Sequence, residues 1–243
     1  MNNEKRPEGE IRIKSPFIKK LDNFFYHYKW HSIIAAFLAI VLLVCCVQTC
    51  SKEKYDIEIM YAGPYDFYHN VQTRLDIESA FSDAAADAYG NANAKANLIF
   101  AWVDEEYEST NVPMFGQTSQ NGRDIYTGEI QAGSILIYLL SPDLFYDTYY
   151  QNGFMPIDEL IPDLPDDVYY KNDKGQINRC GILLSATSLG DDVGFSNLPK
   201  DTILCIRTVP YSFLNRSRAK KQHNAAKKVF ISLLSEDIVT TED

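Results

Sequence analysis

From Ile33 to Val47 the chain reads IIAAFLAIVLLVCCV, fifteen apolar residues without a charge. A helix built from this run is apolar all round, a pattern that suits lipid rather than one side of a soluble core. His31, Ser32, Gln48, Thr49 and Cys50 extend it to about twenty residues. At about 1.5 Å per residue that reaches roughly 30 Å, the thickness of one hydrocarbon layer. Tyr26, Tyr28 and Trp30 stand at its front edge, where amphipathic rings favour the headgroups, and Lys14, Lys19, Lys20 and Lys29 precede it. Fewer bases follow, in Ser51–Lys54. This bias directs the N-terminus to the cytoplasm and the bulk of the chain to the outer side of the cell membrane as a single-pass protein.

An uncleaved signal anchor is the preferred reading. Cleavage by signal peptidase wants small residues in an A-x-A-like pattern, and Cys46–Cys50 matches it poorly. A lipid-anchor site would need small residues just before its cysteine, and neither Val47-Gln48-Thr49-Cys50 nor Leu42-Leu43-Val44-Cys45 supplies them. The expected organisation is a basic, aromatic cytoplasmic segment over residues 1–29, a transmembrane helix over 30–50 and an extracytoplasmic domain over 52–243. Within residues 13–31, Phe17, Ile18, Leu21, Phe24 and Phe25 alternate with Lys19, Lys20 and Asp22. That spacing fits either a basic helix lying on an anionic inner leaflet or a plain extension of the same helix.

With 46% hydrophobic and 23% charged residues, the composition is that of an ordered globular protein. The formal charge of −10 is unevenly spread. Residues 1–29 hold seven bases against four acids, and residues 52–200 nine bases against twenty-four acids. A domain that acidic repels nucleic acid. Arg207–Lys228 gathers seven bases without an acid, the pattern of a solvated helix face and its preceding loop.

In the external part, residues 55–62 (YDIEIMYA) alternate and stop at Gly63-Pro64, which predicts a strand and a turn. Residues 72–89 carry Leu75, Ile77, Ala80, Phe81, Ala84, Ala85 and Ala88 at helical intervals, with Gly90 as C-cap. Residues 96–103 and 134–140 are short apolar runs of the kind buried on both faces of a sheet. Ser141-Pro142-Asp143 supplies an N-cap, a first-turn proline and an acid, so a helix is expected over 142–151. Strands at 178–186 and 202–208 and a helix over about 218–235 complete the pattern, with the Pro- and Asp-rich stretch from Gly153 to Gly175 irregular. The fold class is therefore α/β, a layered domain with a mixed, mostly parallel sheet of about five strands.

Ligands of open α/β sheets bind beyond the carboxyl ends of the strands. Here those ends are Tyr61–Tyr65, Trp102–Glu105 and Ser141–Asp143, and Tyr61, Tyr65, Trp102 and Asp143 are the candidate ligand-binding residues. Aromatic and acidic side chains suit a sugar or a cation. Cys180 and Cys205 fall on two predicted strands, either as buried free thiols, the favoured reading, or as a disulfide. Neither Asp104-Glu105-Glu106-Glu108 nor Asp163-Leu164-Pro165-Asp166-Asp167 has calcium-loop spacing. His27 and His31 flank the membrane run without a further ligand beside them, and His69 and His223 stand alone, so no metal and no cofactor is expected. Without a nucleophile elbow, phosphate loop or zinc-protease motif, the chain is not expected to be an enzyme.

The run GSILIYLLSPDLFYDTYYQNGFMPIDELIPDLP, residues 133–165, resembles the strand-and-helix part of extracellular solute-binding proteins of ABC transporters. CGILLSATSLG, residues 180–190, is similar to the strand that opens their ligand-facing middle section. AKKVFISLLS, residues 226–235, is similar to a returning lobe helix. With about 190 residues outside the membrane segment, the resemblance implies one lobe, a reduced binding protein. The whole chain also resembles signal-anchored membrane proteins of Gram-positive bacteria with a basic, aromatic N-terminal segment. The expected function is a membrane-anchored, non-enzymatic extracytoplasmic domain that binds an unspecified small ligand or a membrane-protein partner. The alternative is an accessory subunit of an envelope or transporter complex.

Overall fold

The computed structural model describes residues 16–50, 54–108, 118–162, 164–172, 174–209 and 216–235, and divides the chain into two compact units, 1–53 and 54–243. The first holds one long helix, α1 (Pro16–Cys50). Inside α1, Tyr28 leaves helical geometry (φ −114°, ψ 24°), at the point where the basic aromatic stretch gives way to the apolar run. Every side chain from Ile33 to Val47 is exposed, on all sides of the helix. Among the described residues no helix is long and apolar enough to cross a membrane. Of the basic aromatic segment over residues 13–31, the side chains of Phe17, Ile18, Leu21, Phe24 and Phe25 lie outside the described residues.

The second unit is an α/β domain. Its strands are β1 (Ile57–Gly63), β2 (Ala96–Trp102), β3 (Ile137–Leu140), β4 (Tyr169–Lys171), β5 (Ile177–Leu183) and β6 (Ile203–Ile206). Its helices are α2 (Val71–Tyr89), α3 (Glu105–Glu108), α4 (Ser119–Ala132), α5 (Pro142–Tyr149) and α6 (Arg216–Leu233). The strands form one six-stranded sheet in the order β2-β1-β3-β6-β5-β4. β1 pairs in parallel with β2 (Tyr61 opposite Phe100) and with β3 (Tyr61 opposite Leu139). The pairs β3–β6, β6–β5 and β5–β4 are antiparallel.

The expected α/β class holds, but the sheet has six strands rather than about five and is not mostly parallel. A parallel return needs a crossover of a dozen or more residues, usually a helix. Between β5 and β6 the chain instead makes three single-turn 3₁₀ helices within residues 184–197 and comes back antiparallel. The extra strand, β4, lies in the stretch expected to be irregular. A short turn joins it to β5, in which Asn172 and Gln176 pair through main chain and side chain.

Both faces of the sheet are covered, which is why its central strands are apolar without alternation. On one face, Ile59, Tyr61, Leu139 and Leu204 meet Ile77, Phe81 and Ala85 of α2 and Val229 and Phe230 of α6. On the other, Met60, Ala62, Tyr138 and Leu140 meet Tyr126 of α4 and Leu144 and Phe145 of α5. Burying one such side chain contributes about 1.5–3 kcal/mol. The predicted cap of α2 is in place: Gly90 takes the left-handed conformation (φ 64°) and its N–H returns to the Ala86 carbonyl.

Candidate functional site

The order β2-β1-β3 makes β1 a point of divergence. The chain leaves β1 for α2 on one face of the sheet and leaves β2 and β3 for α4 and α5 on the other. Connections that part in this way leave a crevice beyond the carboxyl ends of the strands. That crevice is a cavity of about 310 Å³ lined by Tyr61, Pro64, Val103, Asp104, Glu105, Ser141, Pro142, Asp143, Pro199, Asp201 and Thr202. Its size is at the lower end of the roughly 300–1,000 Å³ of small-molecule sites.

Each wall is fixed by the ends of the strands. The Val103 N–H donates to the Gly63 carbonyl and the Ser141 N–H to the Ala62 carbonyl, both at 3.0 Å, so the three loops start in register. Tyr61 lies along β1 towards the cavity and its hydroxyl accepts the Tyr65 N–H at 3.1 Å. A Cβ at Gly63 would stand 2.7 Å from that hydroxyl, so the glycine clears the space the phenol occupies. Burial, with Asp201's charge adding to it, pushes the Tyr61 phenol far above its usual range and keeps it neutral.

The second loop is held by Ser119 at the start of α4, which accepts the Asp104 N–H at 3.0 Å and donates to the Asp104 carbonyl at 2.9 Å. On the third, Asp143 in the first turn of α5 accepts the Ser141 hydroxyl at 2.6 Å and pairs with Arg123 of α4 at 3.3 Å. Arg123 also pairs with Asp147 at 3.0 Å.

Two of the four candidate residues, Tyr61 and Asp143, line the cavity. Tyr65 is half-buried and donates its hydroxyl to Thr73 of α2 at 3.0 Å, with its ring against Phe67. Trp102 is buried at the end of β2 beneath the first turn of α4. Pro199, Asp201 and Thr202 were not among the candidates. They precede β6, and because β6 runs antiparallel its amino end lies beside the carboxyl ends of the parallel strands. Considering only carboxyl ends passes over such residues.

Four carboxylates line the cavity, from Asp104, Glu105, Asp143 and Asp201, and its lining includes no Lys, Arg, His or Cys. Among the described residues no group of three or more His, Cys, Asp or Glu is placed to hold a metal ion. The other candidate chemistry lies elsewhere. His69 pairs with Asp66 at 2.6 Å in the exposed loop after β1. The His223 ring meets the Arg207 carbonyl at 2.7 Å. Cys180 and Cys205 are free and buried, and burial raises both thiols, Cys180 to about 11. The arrangement at the cavity can hold a ligand through hydrogen bonds and negative charge against proline and valine walls. Compared with known proteins, the chain matches no family model, no curated protein and no solved structure.

Proposed function

We propose that this protein is a membrane-tethered, non-enzymatic domain that holds a small ligand on the outer side of the cytoplasmic membrane, a one-lobe relative of the solute-binding proteins of ABC transporters. The cavity at the divergence of β1, β2 and β3 carries the reading, because open α/β sheets bind their ligands at such a point. Tethering is supported by α1, whose exposed, charge-free side chains from Ile33 to Val47 would have no partner in water. The bases before that run favour a cytoplasmic N-terminus.

The test is thermal unfolding of the full chain in detergent micelles against sugars, amino acids, amines, short peptides and calcium. A ligand that binds only the folded state raises the midpoint. One class should do so, and Asp201→Asn should reduce its effect. A second reading, an accessory subunit that docks on a membrane protein, is favoured by Val71 and Leu75. They stand one turn apart on α2 and are 55% and 51% exposed. A flat response across the panel, with retrieval of one membrane protein that Leu75→Asp abolishes, would replace the first reading by this one.

A further inference from the structure

We infer that the cavity selects a small hydroxylated organic cation, of the size and chemistry of an amino sugar or amino alcohol. The inference rests on the ligand-binding reading above and adds the class of ligand.

Charge is the first ground. The lining holds four carboxylates and no base, and Arg123, which pairs with Asp143 of the lining, is shared with Asp147. An anion entering the cavity would meet net repulsion from its lining, and a cation attraction. A bare metal ion is a poor fit, because these carboxylates do not gather into a metal-holding group. Negative charge spread around a cavity suits an ammonium group on a molecule large enough to meet several walls at once.

The second ground is Tyr61, which is 1% exposed. Its oxygen accepts the Tyr65 N–H, and among the described residues its hydroxyl donates no hydrogen bond. A buried hydroxyl left with an undelivered proton carries a desolvation cost that a ligand oxygen can relieve. An ammonium cannot take that proton, whereas a ligand hydroxyl can accept it and donate its own hydrogen to a carboxylate. Pro64, Pro142, Pro199 and Val103 complete the lining with apolar surface for the C–H faces of such a molecule.

Matched probes test this on the full chain in detergent micelles at neutral pH and low salt. They are glucosamine, mannosamine and ethanolamine, their uncharged counterparts glucose, mannose and ethylene glycol, and the anion glucuronate. At least one amine should raise the unfolding midpoint and bind at least about tenfold more tightly than its uncharged counterpart, with glucuronate inert and the affinity falling as salt is added. Asp201→Asn should weaken that amine about tenfold and leave the uncharged counterpart unmoved. Tyr61→Phe should weaken both alike, with the midpoint of the unliganded variant showing that it folds. Equal or tighter binding of an uncharged sugar or of glucuronate overturns the cation inference and leaves the ligand-binding reading standing. A response to calcium that Asp201→Asn removes overturns it in favour of a metal. No response to any amine overturns it as well, and the broader panel then decides separately whether the cavity binds anything.

Discussion

At the scale of single residues, the same physical demand, that a buried polar group be partnered or neutral, shapes both Tyr61 and His223. His223 is 2% exposed on the face of α6 that carries Ala226 and Phe230 into the core. Its Nε2–H donates to the Arg207 carbonyl just after β6, while Nδ1 is buried without a partner among the described residues. Protonation would place a donor with no acceptor and a positive charge in that site, near Lys227. Burial first, and Lys227 after it, therefore lower the histidine below its usual value. The unfolded chain then binds more protons than the folded one below about pH 6.5, so stability rises with pH across that window and is lost on acidification. Urea unfolding at a series of pH values should show the midpoint falling from pH 7 towards pH 5. His223→Gln, which keeps a donor but cannot titrate, should lower the midpoint at pH 7 and flatten that fall. An unchanged slope in the variant would assign the acid sensitivity to other groups.

Elements differ in how much of their making is visible in the chain. β1, β2, α2, the start of α5 and the body of α6 were legible because each buries an apolar pattern of its own period or carries a terminal signal, as Gly90 and Pro142 do, although the Ser141 hydroxyl turns to Asp143 and makes no capping bond. α4 was not, since SQNGRDIYTGEIQA buries only Ser119, Gly122 and Tyr126 and contains two glycines. It packs by closeness rather than by apolar mass: a Cβ at Gly122 would stand 1.9 Å from the Trp102 carbonyl oxygen. At Gly128, one and a half turns on, a Cβ meets nothing within 4 Å. Alanine at these two positions of one helix should therefore act in opposite directions. Gly128→Ala should stabilise by about 0.5–1 kcal/mol through helix propensity, and Gly122→Ala should destabilise by about 3 kcal/mol through backbone displacement. Chemical denaturation of the two variants reads both, and a mild effect at Gly122 would mean that α4 shifts freely, leaving the Asp104 wall of the cavity movable. The outer edge of β2 was equally hidden. Glu78 accepts the Leu98 N–H at 2.9 Å and Ser82 the Ala96 N–H at 3.0 Å, so side chains of α2 cover donors that an edge strand would otherwise offer to another chain. Glu78→Ala should cost about 1–3 kcal/mol and promote self-association on warming, measurable by light scattering. The cavity was half legible for a related reason: Tyr61 and Asp143 follow from strand ends, but Asp201 depends on the direction of β6, which a strand's own residues do not encode.

Across the whole molecule, the distribution of charge and the division into two units bear on one question, which side of the membrane the acidic domain occupies. Seven bases against four acids precede the apolar run, and nine against twenty-four occupy residues 52–200. Moving the first set outward would oppose the positive-inside bias, so the proposed orientation leaves the domain outside. Residues 54–243 form their own compact unit, with a core on each face of one sheet. A domain so built should keep its fold when the chain is cut next to the membrane segment. Protease added to intact spheroplasts of a bacterial expression host should therefore release a soluble acidic fragment, while the basic N-terminal segment is digested only after lysis. That fragment should unfold in urea in a single cooperative transition at the midpoint it shows in the intact chain. A domain protected until lysis would reverse the orientation and remove the extracytoplasmic ligand. Release of a fragment that has lost its transition would instead show that the domain depends on its anchor for stability.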